Sequence, residues 1–223
     1  MGRRLAWSLC AALAAATAWT ASAVPSSGGQ PLDLATTNGF GLHLKLALPS
    51  RWRLLPADPQ GPPSNESVTL VHVGTPPADE SQWWGPDIVI VNGARVHRPA
   101  DAVSRKAATP DMSKFVAWPA DFFGYLTALP GVRVVSRPTP VRIGGVRGTQ
   151  ITVQTRPMHP LIWLDGDTGW LGGGPSGVDP TLTRQIILLN VKGRKLLLAF
   201  ADAPARFKTR WPQVRQLYSS IRF

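Results

Sequence analysis

From Phe40 to Leu48 the chain alternates, with Leu42, Leu44, Leu46 and Leu48 on one side and His43, Lys45 and Ala47 on the other. A period of two is the mark of a half-buried strand, and Pro49 ends it. Ser67–Val73 and Asp87–Asn92 predict two more strands, the second a buried apolar run closed by Asn92-Gly93. Pro99–Ala108 predicts a short helix. Pro119–Leu129 predicts a better one, with Pro119 early, Asp121 in the first turn and Phe122, Phe123, Leu126 and Leu129 on one stripe. Strand patterns then return at Val132–Ser136, Val141–Ile143 and Val146–Thr155, the last two joined by Gly144-Gly145. Leu161–Leu164 is short and apolar, and a Gly-rich loop is expected over 165–180. Arg184–Val191 and Arg194–Ala201 predict a hairpin across Lys192-Gly193, where glycine supplies positive φ. The last element is an amphipathic helix from about Ala205 to Ser220, with Phe207, Trp211, Val214, Leu217 and Ile221 inward. Pro212 lies inside it. An interior proline costs about 3 kcal/mol, so a kink there or a start near Trp211 is expected.

Strands outnumber helices and come in hairpins rather than in alternating strand–helix units. The fold class is α+β with a largely antiparallel sheet. No internal repeat or heptad run is present.

The N-terminal segment has a separate logic. Met1-Gly2-Arg3-Arg4 is positive, Leu5–Trp19 is apolar and uncharged, and Thr20-Ala21-Ser22-Ala23 offers small residues at Ala21 and Ala23. Those three parts make a secretory signal peptide cut after Ala23. The apolar run is shorter than the about 20 residues a stable membrane span requires. Trp7-Ser8-Leu9 before Cys10 does not form a lipidation site, and Ala6 sits where a twin-arginine signal has a bulky residue. The expected organisation is therefore a signal peptide over 1–23, a flexible linker of turn formers and small polar residues over 24–38, and one domain over 39–223. The protein is expected to be secreted or held in the cell envelope, with no transmembrane span after cleavage.

Removing 23 of the 223 residues leaves 200, enough for one domain with a substantial core. Cys10 leaves with the signal, and with it any disulfide, thiol nucleophile or thiolate metal site. The charge of +11 becomes +9 once Arg3 and Arg4 are removed. That excess favours anionic partners such as phospholipid head groups or wall polymers. Export and the absence of nucleic-acid-binding signatures argue against DNA or RNA. The bland source of the charge is an Arg-, Ala-, Gly- and Pro-heavy composition.

The order of elements is similar to the PsbP-like fold, including the LpqN-type secreted proteins of actinobacteria. The residues that carry the resemblance are Pro49-Ser50-Arg51-Trp52 after the first strand, Val141-Arg142-Ile143-Gly144-Gly145, and the ending Ser219-Ser220-Ile221-Arg222-Phe223. It covers about residues 39 to 223. It implies an α/β/α sandwich around an antiparallel sheet and an accessory or binding protein without catalytic residues. It carries over no active site.

Chemistry-bearing motifs are few. Gly172-Gly173-Gly174-Pro175-Ser176-Gly177 fits G-x-G-x-x-G, but a strand follows where a dinucleotide site requires a helix. It is not a nucleophile elbow either. Asp165-Gly166-Asp167-Thr168-Gly169 begins like a calcium loop yet has no third oxygen ligand or distal glutamate. His43, His72, His97 and His159 are single and scattered, so no metal and no cofactor is assigned. The remaining candidate is a ligand site of Trp163, Asp165, Asp167 and Trp170, with Trp83-Trp84 in another Pro-rich loop. Indoles beside carboxylates suit glycan recognition, by ring stacking and by accepting hydroxyl protons. The competing reading has these indoles capping the ends of the core, since tryptophan is highly buried on average. The expectation is an exported, non-enzymatic binding or accessory protein of the bacterial cell envelope whose partner is an envelope component or protein, anionic or glycan in nature. A hydrolase whose site assembles only in three dimensions, or a structural partner in an envelope complex, are the alternatives.

Overall fold

Strands β12 (Leu182–Val191) and β13 (Arg194–Asp202) pair along nine register positions and form the centre of the molecule. Each is apolar on both faces, and each face finds its own cover. Leu196, Leu198 and Phe200 belong to one buried cluster, and Leu197 and Ala199 to another. In β12, Ile187, Leu189 and Val191 join the first cluster and Ile186 the second. Lys192 and Gly193 connect the two strands at φ 52 and 84. A turn with both central residues left-handed matches the right-handed twist of the strands it joins.

The computed structural model describes residues 29–35, 41–54, 67–72, 87–93, 95–97, 115–129, 131–155, 160–164, 169–172 and 181–223. The segment 1–23, Trp83-Trp84, the helix expected at Pro99–Ala108 and the carboxylates Asp165 and Asp167 lie outside them. Around the central hairpin runs a seven-stranded sheet ordered β3-β4-β5-β13-β12-β9-β8. Its other strands are β3 (Trp52–Leu54), β4 (Ser67–His72), β5 (Asp87–Gly93), β8 (Val132–Ile143) and β9 (Val146–Thr155). All its neighbouring pairs are antiparallel. A two-stranded sheet joins β1 (Gln30–Asp33) to β2 (Lys45–Leu48). A four-stranded one is ordered β11-β10-β6-β7, from β6 (Arg95–His97), β7 (Phe115–Ala117), β10 (Pro160–Leu164) and β11 (Gly169–Gly172).

Two helices cover opposite faces of the large sheet, so the fold is α+β with the sheet between helices. Helix α1 (Phe122–Thr127) buries Phe122 and Leu126 against Ile151, Val153, Ile186 and Leu197. Asp121 stands just outside it and caps it, its Oδ1 accepting from the Gly124 amide at 2.8 Å. Burial pushes the Tyr125 phenol of this helix up to about 12. Helix α2 (Pro204–Ser220) lays Phe207, Val214, Leu217 and Tyr218 on the other face, where Phe207 stacks on Phe200 at 5.1 Å between ring centroids.

Four local expectations are corrected. Residues 30–33, assigned to the flexible linker, pair as β1 with β2, because Leu32 and Leu34 supply an apolar alternation; Leu34 is fully buried. Strand β8 runs unbroken through Pro138 and Pro140. It is an edge strand, where a proline can turn its missing N–H away from the only neighbour, and register shifts at Val134/Ser136 and Ser136/Thr139 absorb the misfit. Helix α2 starts at Pro204 and continues through Pro212, which is exposed, so the carbonyl it leaves without a donor meets water. Finally, Gly169–Gly172 forms β11 instead of belonging to a loop over 165–180.

The last residues close the structure. Arg222 exchanges both backbone hydrogen bonds with Lys45, at 2.9 and 2.8 Å, and Ser220 Oγ accepts from the Ala47 amide at 2.9 Å. Gly144, at φ 54, lies under them; a Cβ there would come within 2.8 Å of the Ile221 carbonyl oxygen.

Leu217 is 1% exposed at the centre of the α2 contact. Leu217→Ala is expected to cost about 2–5 kcal/mol, as deletion of buried methyl groups leaves a cavity. Urea denaturation measures it; a loss under about 0.5 kcal/mol would place α2 at the periphery.

Candidate functional site

Strand β9 changes character between its two faces. Ile151 and Val153 point towards α1, while Gln150, Thr152 and Gln154 occupy the alternate positions on the α2 side. Strand register carries that polarity across the sheet. Arg133 of β8 stands opposite Gln154, Gln154 opposite Thr183 of β12, and Thr183 opposite Asp202 of β13. One step along, Ser136, Thr152 and Gln185 form a second cross-strand row. Directly opposed residues of neighbouring strands share a face and have Cβ atoms about 4.5–5.5 Å apart. Beyond the apolar footprint of α2, the sheet therefore presents a floor of amides and hydroxyls.

The rows are hydrogen-bonded side chain to side chain. Arg133 Nη2 donates to Gln154 Oε1 in a short contact, and Gln154 Nε2 donates to Thr183 Oγ1 at 3.2 Å. Thr152 Oγ1 donates to Gln185 Oε1 at 2.7 Å, and Gln185 Nε2 to Gln150 Oε1 at 3.3 Å. At the bulge, Ser136 Oγ accepts from the Thr152 amide at 3.0 Å. The first row opens into a depression of about 540 Å³ lined by Gly131, Val132, Arg133, Gln154 and Thr181.

The row ends on Asp202, whose side chain is wholly buried. Its Oδ1 accepts from the Ala203 amide at 2.7 Å and from Arg206 Nε at 3.2 Å, and its Oδ2 from Arg210 Nη1 at 3.0 Å. The N-cap residue of the helix is Ala203, which offers no side-chain cap, and Asp202 fixes the amide of that residue while pairing with two arginines of the first two turns. Negative charge at a helix N-terminus also complements the macrodipole. Asp202 is the only acidic residue from 180 to 223. On the opposite face, buried Arg184 donates from Nε to Thr155 Oγ1 at 3.4 Å.

Of the residues proposed from sequence, Trp163 lies in β10 and Trp170 in β11, and their Cα atoms are register partners. The two strands thus set these positions opposite one another, and Asp165 and Asp167 fall in the four residues between the strands, outside the described residues. The β10–β11 sheet continues through Leu164, paired with Val96 of β6. His43 is exposed, two residues before β2. Among the described residues no group of three His, Cys, Asp or Glu side chains could hold a metal ion. The polar rows were not singled out from sequence. The signal available was the Gln150-x-Thr152-x-Gln154 alternation beside Thr183-x-Gln185, but nothing local shows that these stretches are neighbours.

No protein-family model matches the chain, and no curated protein matches it. Several solved structures are similar to it. LpqN of Mycobacterium tuberculosis, described as involved in cell envelope biogenesis, is 15% identical, over 89% of this chain and 86% of its own, with a TM-score of 0.41. Cyanobacterial PsbP from Synechocystis is 7% identical, over 91% and 96%, with a TM-score of 0.42. The Ran-binding protein Mog1p of Saccharomyces cerevisiae is 9% identical, over 86% and 93%, with a TM-score of 0.43. The similar structures thus include both groups named by the sequence resemblance. The likeness concerns the fold and brings no active site with it.

Replacing Asp202 by Ala would leave Arg206 and Arg210 facing a buried site without their shared counter-charge and strip the α2 terminus of its acceptor. Because Arg206 is half exposed and can turn to water, the loss is that of charge-assisted hydrogen bonds, about 1.5–3 kcal/mol. Chemical denaturation of Asp202→Ala should show a loss of that order; a change below about 1 kcal/mol would mean that the carboxylate does not anchor the helix.

Proposed function

We propose that this chain is an exported, non-enzymatic accessory protein of the bacterial cell envelope that binds a glycan or another polyol through the β10–β11 hairpin. The observation that carries the reading is the pairing of Trp163 with Trp170 between β10 and β11, with Asp165 and Asp167 in the sequence between them. Two tryptophans thus stand at opposed register positions of one small sheet. Aromatic rings offer flat faces to the C–H side of a sugar ring, and carboxylates accept its hydroxyl protons. A segment that only connected two strands would require neither the tryptophans nor both acids.

Export rests on the first 23 residues, with their positive start, apolar run and small residues at Ala21 and Ala23. Among the described residues no helix is long and apolar enough to cross a membrane. The net charge of +9 after cleavage, obtained by removing Arg3 and Arg4 from +11, draws such a protein to anionic envelope polymers or lipid head groups.

Two measurements test the reading separately. N-terminal sequencing of the protein recovered outside the cytoplasm should begin at Val24; uncleaved protein retained in membranes would refute the export part. On a glycan array, the Trp163→Ala, Trp170→Ala double variant should lose at least tenfold of the affinity of the unaltered protein, while its circular dichroism stays the same. Undiminished binding to every glycan recognised would move the site elsewhere.

A further inference from the structure

The row Arg133–Gln154–Thr183 has a fixed polarity. A guanidinium carries only donors, so the Gln154 side chain has to turn its oxygen towards Arg133 and its nitrogen towards Thr183. Thr183 Oγ1 then accepts, and its own proton is directed away from Gln154. The remaining guanidinium N–H groups, the second amide proton of Gln154 and the Thr183 hydroxyl make the row a set of donors. Reversing the Gln154 amide would set its NH₂ against the arginine, so the arginine enforces this sense. The same row opens into the depression beside Gly131, which at φ 78 turns the chain into β8, and beside exposed Thr181.

The charge around the row has the same sense. Among the described residues, none that lines the depression is acidic. Asp202, at the far end of the row, is engaged by two arginines, which leaves that end positive as well. From 122 to 164 the chain has no acidic residue, and Arg137 joins Arg133 on β8; Asp179, two residues before Thr181, lies outside the described residues. A donor-only row in a positive surrounding recognises a ligand made of acceptors with negative charge. A planar guanidinium held by a neighbour matches the oxygens of phosphate in a two-pronged contact, and the adjoining amides and hydroxyls suit a hydroxylated carrier.

We infer that the depression lined by Arg133, Gln154 and Thr181, with Thr183 buried behind Gln154, is a binding site for a phosphate ester of a polyol. This site is separate from the Trp163–Trp170 hairpin and stands whether or not that hairpin binds a glycan. The phosphate ester has two possible sources, a soluble ester or the head group of a phospholipid, and the experiment separates them.

Titration calorimetry of the protein lacking residues 1–23 would use glycerol 3-phosphate, with glycerol and inorganic phosphate as partial ligands. Sedimentation would use phosphatidylglycerol and phosphatidylcholine vesicles. Saturable binding of glycerol 3-phosphate, at least tenfold tighter than inorganic phosphate, supports the site and assigns a soluble ester. Retention on phosphatidylglycerol vesicles without soluble binding supports it and assigns a lipid head group. In either case Arg133→Ala should weaken binding at least tenfold. Gln154→Glu should do the same at unchanged melting temperature, since it keeps a partner for Arg133 but neutralises it. The control is Arg142→Ala on the same strand, an exposed arginine outside the row whose side chain donates to the Gly145 carbonyl; it should change affinity less than twofold. An equal loss in Arg142→Ala, reducing the effect to diffuse charge, would overturn the proposal. So would the absence of binding to every phosphate probe at millimolar concentration.

Discussion

A pair of central strands apolar on both faces leaves the chain one solution. With Leu196, Leu198 and Phe200 looking one way and Leu197 and Ala199 the other, β13 cannot face water on either side. Antiparallel sheets commonly leave one face solvated; here the centre of the sheet does not. Helix α1 covers one side and α2 the other, assisted by the small β1–β2 sheet through Leu34, Leu44 and Leu46. Each cover is locally weak. Six residues of α1 would not be helical alone, and α2 contains a proline. They persist because the sheet beneath them has to be dry.

The same constraint explains where polarity begins. The apolar cluster under α2 reaches β8 and β9 only at their turn, through Val141, Ile143 and Val146, and does not extend to the Arg133 and Gln154 end of that hairpin. Residues of β9 facing that way can be Gln and Thr without desolvation cost, whereas Ile151 and Val153, facing α1, cannot be exchanged so freely. The junction between dry and wet sheet is marked by buried Thr183, Gln185 and Asp202, each with a hydrogen-bond partner. Asp202 belongs to both regimes, as the end of the polar row and the acceptor on which α2 begins.

What could be seen in the sequence was what depends on near neighbours. The Gly144-Gly145 and Lys192-Gly193 turns, the Phe122–Leu126 stripe and the Phe207, Val214, Leu217 and Ile221 spacing all appear in their expected roles. The misjudged places are those where position in the fold overrides local preference. Pro138 and Pro140 argue against a strand until β8 is known to be at an edge, and Pro212 against a helix until its face is known to be exposed. Leu32 and Leu34 are weak signals in a polar stretch until β2 is there to receive them. For the candidate sites, the Trp163–Trp170 pairing lies within ten residues of sequence and could be suspected. The Arg133–Gln154–Thr183–Asp202 row draws on strands scattered over seventy residues, and only strand order aligns it.

The bridge between Arg222 and Lys45 has a kinetic meaning. It ties a residue that follows every other described element to a strand that precedes almost all of them. Contacts of such sequence separation require a large loop to close before they return any stabilisation, and they slow folding accordingly. Ile221, fully buried, is brought into the core by the same closure. A nascent chain can therefore form the β8–β9 and β12–β13 pairs as each is released, yet has no means of sealing the α2 face until its final turn of helix has been released. Until that moment the leucines of β13 on this side stay open to solvent, a prolonged interval of exposed apolar surface in which a holding chaperone would find its substrate.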